Sequence, residues 1–244
     1  AYSFISGYIP AAGESNGLII KTDSPSNTIV ALNVLNKSVA DLYRVACLKR
    51  LSLGDKYKIL IESKDSQTMV LPVHYDLQYF EFLEKHTFSY ALKVTPGTSD
   101  DSVFAIMRQD LNRFFKLNGG LEKRKVKVFV LKQEESLQKS IAKEDEPKQR
   151  GVHPGKKGEA EFLFLNAPMH SVSNFLNGYI TEDLNCPFVN ETSFKGMINI
   201  RMPWSFDGSS QVDLKKLQDS LRKQGLSLVE EYREMEMLVI KDAL

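Results

Sequence analysis

The sequence is poor in several residue types, and each shortage removes a class of function. It holds one tryptophan, two cysteines and four histidines in 244 residues. Cys47 and Cys186 stand far apart, and neither belongs to a Cys-x-x-Cys pair or a Cys/His cluster. Thiolate metal sites carry their ligands in close pairs, so no metal is expected. The two thiols read as free apolar side chains, with a long-range disulfide as the alternative. His74, His86, His153 and His170 make no HxxxH or HxxE spacing, which leaves zinc without a local donor set. Neither sign of charge predominates: 32 Lys and Arg stand against 31 Asp and Glu, a formal net charge of +1. Such a chain has no global field to gather polyanions, and nucleic acid is not expected as a partner. No apolar run reaches the roughly 18 residues that cross a membrane as a helix. There is no GxSxG elbow and no glycine-rich phosphate loop, and Asn118-Gly119-Gly120 reads as a turn. The paired carboxylates Asp100-Asp101, Glu134-Glu135 and Glu230-Glu231 read as solvated faces. No catalytic residue and no cofactor follow from this inventory.

What is present is an ordinary globular composition, 42% hydrophobic and 26% charged, long enough for one large or two small cores. The chain begins at Ala1 without an initiator Met or a charged-then-apolar leader, and reads as the C-terminal part of a larger protein.

An internal repeat organises the rest. In Thr28 to Leu48, Val30, Leu32 and Val34 alternate at strand spacing before Val39, Leu42, Val45 and Ala46 recur at helix spacing. Glu159 to Ile180 does the same with Phe162 and Phe164, then Met169, Val172, Phe175 and Leu176. Ser38 and Pro168 answer the same need at the two helix starts, where backbone N–H groups lack partners. Downstream, Ser99-Asp100-Asp101 caps a helix with Val103, Ile106, Met107, Leu111 and Phe114 on one stripe. In the second half Leu214, Leu217 and Leu221 share a face before Gly225 stops the helix. Each half closes on a period-two run, KRKVKVFVLKQ and REMEMLVIKDA. The expected fold class is α+β: a duplicated strand-helix-strand-strand-helix-hairpin unit, with mixed or antiparallel sheets each covered by two helices. Residues 1–27 are an N-terminal extension, 28–133 the first unit, 134–158 a charged linker and 159–244 the second unit. The linker is dense in Lys, Glu, Pro and Gly and is expected to be mobile. An insertion at about 64–86 interrupts the first half, and its Tyr75, Tyr79, Phe80 and Phe82 read as a satellite core with a groove as the alternative.

The turn Phe114-Phe115-Lys116-Leu117, the strand Val128-Phe129-Val130-Leu131, and the series Pro187, Val189, Asn190, Thr192, Gly196 and Trp204 carry a resemblance. Together they resemble a bacterial domain of unknown function described from soil-associated proteins, over roughly Thr28 onward. Asn190 stands where that pattern has an acid, and Ser193 where it has its first Gly. Each half is more distantly similar to the short N-terminal domain of secretins and TonB-dependent receptors. The resemblance implies an extracytoplasmic setting in periplasm or envelope, secreted or lipid-anchored, and no activity.

The expected function is therefore a non-catalytic envelope module that binds a protein, peptide or cell-wall fragment through strand edges or a groove. A hydrolase is the alternative, with His170, Asp183 and Glu191 as candidates. The stretch from Cys186 to Trp204 reads as a tight connection between two strands, with Trp204 covering a core edge above Leu214, Leu217 and Leu221. If that region binds a ligand instead, Trp204, Phe206 and Arg201 are its candidate residues.

Overall fold

The computed structural model describes residues 1–12, 17–24, 26–49, 58–72, 77–143, 145–154, 160–204 and 213–243. In chain order the elements are β1 (Tyr2–Ser6), β2 (Leu18–Thr22), β3 (Ile29–Ser38), α1 (Val39–Leu48), β4 (Ile59–Glu62), α2 (Leu77–His86), β5 (Thr87–Lys93), α3 (Asp100–Phe115) and β6 (Leu117–Gln133). There follow β7 (Gln149–Pro154), β8 (Ala160–Pro168), α4 (Met169–Asp183), β9 (Phe188–Asn190), β10 (Met197–Trp204), α5 (Leu214–Lys223) and β11 (Leu226–Asp242). The fold is α+β with antiparallel and mixed sheets, ordered β1-β5-β3-β2, β10-β8-β7 and β4-β11-β6-β9. Two compact units result, Ala1–Lys123 with Glu236–Leu244, and Arg124–Met235.

In the first unit, α1 starts where the Ser38 side chain accepts the Asp41 N–H, and α3 where Ser99 accepts that of Ser102. The alternation of β3 buries Leu32 and Val34, which meet Leu42 and Val45 of α1 and Val103, Met107 and Leu111 of α3 in one core. Leu238 and Ile240, near the end of β11, belong to the same core, and Leu238 to Lys241 pair in parallel with Ile59 to Glu62. Phe114, which spacing put on the α3 stripe, is exposed, and Phe104 is buried instead. At the last turn Phe114 lies edge-on to Phe88 and Phe115.

In the second unit, Phe164 of β8, Val172, Leu176 and Ile180 of α4, and Leu217 and Leu221 of α5 form the core. Phe129 and Leu131 of β6 join them, and Phe129 to Leu131 pair in parallel with Phe188 to Asn190 of β9. An Asn at positive φ precedes α1 and α4 alike, Asn36 at 48° and Asn166 at 45°, and a 17-residue strand follows α3 and α5, β6 and β11. The burial of β6 and β11 runs in parallel, four consecutive buried residues, Val128–Leu131 and Met237–Ile240, after a half-exposed charged stretch.

Several expectations are corrected. The span 134–158 is not a linker throughout: it holds a 3-10 turn, Glu135–Ser140, and the strand β7, paired to β8. Its charges are tolerated because β7 is an edge strand, and Leu137 is buried. The 1–27 extension likewise contributes β1 and β2 to the first sheet, strands too short for their alternation to stand out. Asn118-Gly119-Gly120 is strand rather than turn; a Cβ at Gly119 would stand 2.3 Å from the Tyr43 ring, so the glycine allows a close approach. The linkage from β9 to β10 joins two different sheets, and Asn190 there accepts the Thr192 N–H as a local turn. In the insertion Tyr79 and Leu83 are buried while Phe80 is exposed, and Tyr75 lies outside the described residues.

Candidate functional site

On β10 the side chains alternate across the sheet. Ile198, Ile200 and Met202 face the core, Trp204 continues that series, and Arg201 belongs to the opposite face. Trp204 is half-buried, with ring centroids 5.4 Å from Phe162 of β8 and 5.9 and 6.0 Å from Phe175 and Tyr179 of α4. Phe162 and Phe175 stack at 4.3 Å. These aromatic contacts run to α4, whereas spacing had put Trp204 above α5. Arg201 pairs with Glu161 at 3.5 Å, and its backbone is held by Gln224, which receives the Arg201 N–H and donates to its carbonyl. Trp204 and Arg201 are thus not brought together, and Phe206 lies outside the described residues.

The hydrolase candidates do not converge. His170 and Asp183 sit in the first and last turns of α4, about 20 Å apart along its axis. Glu191 is engaged by Arg233 at 2.9 Å. Among the described residues no group of three His, Cys, Asp or Glu side chains could hold a metal, and no helix is long and apolar enough to cross a membrane. His74 lies outside the described residues. Both cysteines are free. Burial pushes the Cys47 thiol up to about 11, and burial also raises Cys186, whose SH donates to the Lys127 carbonyl. In both, burial favours the protonated thiol, the less nucleophilic form.

The surface that the sequence reading passed over is the sheet β1-β5-β3-β2. Its register sets Phe4, Ala91, Asn33 and Ile19 in one row across all four strands, and Tyr2, Lys93, Ala31 and Lys21 in the next on the same face. The other face carries Leu32, Val34, Tyr90 and Leu92 into the core. At the two edges Tyr2 is 69% exposed, Phe4 63%, Ile19 46% and Ile20 41%. The alternation of Tyr2 and Phe4 was the available signal, but it lies in five residues with no second period to confirm it. The long strands differ: Lys123, Lys125 and Lys127 of β6 and Glu230, Glu234 and Glu236 of β11 are exposed, with Lys127 to Glu230 at 3.3 Å and Lys132 bonded to Glu231.

A family model described as a protein of unknown function matches residues 74–243. The chain belongs to the DUF3738 family. The match takes in α2 through β11 and begins later than the Thr28 that the resemblance suggested. It includes Trp204 and the long strands, while β1 and β2 precede it. No curated protein and no solved structure matches the chain.

Proposed function

We propose that the chain is a non-catalytic interaction module that takes an extended segment of a partner by strand addition at the edges of its β1-β5-β3-β2 sheet. The observation that carries this reading is the character of those edges. β1 and β2 are exposed, contain no proline, and carry Lys21 as their single charge. An apolar sheet edge offers unpaired N–H and C=O groups as a template, and proteins that do not use such an edge blunt it with charge. The long strands of the same chain are dense in Lys and Glu, while β1 and β2 are not. An added strand gains main-chain hydrogen bonds, and Tyr2, Phe4 and Ile19 on one face supply contacts for its alternate side chains.

The envelope setting, secreted or lipid-anchored, belongs to the same proposal and rests on the soil-associated and secretin-like resemblance. A peptide or an envelope protein fits the edges better than a wall glycan, because the recognition is by backbone. The Asn at positive φ before α1 and α4 and the matching burial of β6 and β11 support reading the two halves as copies of one unit, which superposition of β3-α1 on β8-α4 tests. The hydrolase reading draws no support from the placement of His170 and Asp183.

A displayed peptide library tests the binding. Enriched peptides are expected to alternate apolar residues, and to lose about tenfold or more in affinity with Phe4→Lys or Ile19→Lys, one substitution at each edge of the same face. Absence of enrichment, or equal binding by both variants, overturns the proposal. Fractionation of the native cells tests the location, and recovery in the cytosol would count against it.

A further inference from the structure

We infer that the β1 edge selects its partner by one side chain: the incoming segment carries an uncharged, large apolar residue that enters a cavity between β1 and the last turns of α3. The inference rests on the strand-addition reading and names what that edge takes.

β1 is an outer strand that pairs with β5 alone. Ser3 and Ile5 stand opposite Leu92 and Tyr90, whose side chains enter the core, so Ser3 and Ile5 take the helix side of the sheet and Tyr2 and Phe4 the other. Along the strand lies an open cavity of about 380 Å³, lined by Ser3, Phe4 and Ile5 and, from α3, by Asp110, Arg113 and Phe114. A strand added to β1 runs about 4.8 Å beyond it, and every second side chain turns toward α3. One of those side chains arrives in the cavity.

The lining sets the chemistry of that side chain. Phe114 holds a stripe position of α3 yet is 53% exposed, so part of its ring is left uncovered beside the strand. The two ions of the cavity are committed to the protein. Arg113 donates to one carboxylate oxygen of Asp110 at 2.6 Å, and the Tyr90 hydroxyl donates to the other at 2.9 Å. A charged side chain would be desolvated there without a counter-ion, whereas an aromatic or large aliphatic one covers Phe114 and Ile5.

The second sheet shows how this chain treats an edge it closes. On the outer side of β10 the Gln224 amide accepts the Arg201 N–H and donates to its carbonyl, and Ile141 bridges to Ile198. Among the described residues nothing bonds in this way to the outer side of β1. A closed edge in one sheet and an open one beside a half-covered Phe in the other fit a β1 edge that is used.

The displayed peptide library, selected on the full chain, is the probe. Enriched peptides that Phe4→Lys weakens form the β1-bound set, and they are expected to share one large apolar residue. Changing that residue to Ala is expected to cost about tenfold or more in affinity, and Phe114→Ala on the protein the same. The two changes together are expected to cost little more than either alone, whereas a variant that had lost its fold would weaken the Ala peptide as well. The inference is overturned, with strand addition intact, if the β1-bound peptides share no such residue or if Phe114→Ala leaves their affinity unchanged. If Phe4→Lys weakens no enriched peptide, addition at β1 and the inference fall together. Sedimentation of the chain as a dimer that Phe4→Lys dissociates would give the edge to a second copy and overturn the inference as well.

Discussion

Gly225 joins α5 to β11 at φ 82°, and a Cβ there would stand 2.1 Å from the backbone nitrogen of Leu137. Gly225→Ala meets both an unfavourable φ and a collision with main chain, and is expected to cost about 3 kcal/mol in chemical denaturation. Gly97 has a similar φ of 85° but nothing within 4 Å. Gly97→Ala is expected to cost only about 1 kcal/mol, so the difference isolates the collision. Trp204 is half-buried among three rings, and Trp204→Ala is expected to lose about 2–3 kcal/mol, with Trp204→Phe recovering most of it. At Cys47 burial moves the thiol from 9.0 to about 11. At pH 8 its thiolate is roughly a hundredfold scarcer than that of a free thiol, and reaction with a disulfide reagent is expected to slow accordingly until denaturant is added. The sequence anticipated the helix stop at Gly225 and the free thiols. It did not show that Gly225 abuts Leu137, because that neighbour comes from 88 residues upstream in a stretch that reads as linker.

The elements themselves were largely legible. Ser38 and Ser99 act as the caps their positions suggest, and replacing either with Ala is expected to cost about 1 kcal/mol. The closing strands β6 and β11 alternate as expected, but what holds them is mixed. Their buried segments Val128–Leu131 and Met237–Ile240 enter cores, while the charged stretches pair as Lys127 with Glu230 and Lys241 with Glu122. These pairs are partly exposed, so each contributes at most about 1 kcal/mol and less in high salt. Lys127→Glu is expected to destabilise measurably at low salt, and the added exchange Glu230→Lys to restore most of the loss. Short outer strands were hidden: β1, β2 and β7 span five or six residues, too few for a period to register against composition.

For the whole molecule, the two units are assembled unequally from the chain. The second is the single run Arg124–Met235, and its core residues all lie within it. The first needs Glu236–Leu244 as well as Ala1–Lys123, since Leu238 and Ile240 complete its core and pair with β4. A fragment of residues 124–235 is therefore expected to unfold cooperatively, while residues 1–123 alone are not; circular dichroism melts of both decide. Burial also raises the phenols of Tyr43 and Tyr90, besides the Cys47 thiol. A group raised on folding binds its proton more tightly in the native state, so the unfolded chain releases it first as pH climbs. Stability is expected to be flat in these groups below pH 9 and to fall above it, by about 1.4 kcal/mol per pH unit for each group once ionised in the unfolded chain alone. Denaturant midpoints at pH 8 and pH 10 measure this.

The α+β class, the two strand-helix starts, the caps and the two long closing strands follow from periodicities and end signals that act within about 17 residues. Those were settled by the sequence, along with membership in a family that matches residues 74–243. Tertiary structure decided which residues become edges and which cavity walls. Phe4 and Ile19 reach one row only through the register of β1, β5, β3 and β2, and Met69, Phe88 and Asp242, from distant segments, line one cavity. Local periodicity fixes the face a side chain takes on its own element. Strand pairing over long separations fixes what lies beside it, and no pattern within a single element encodes that.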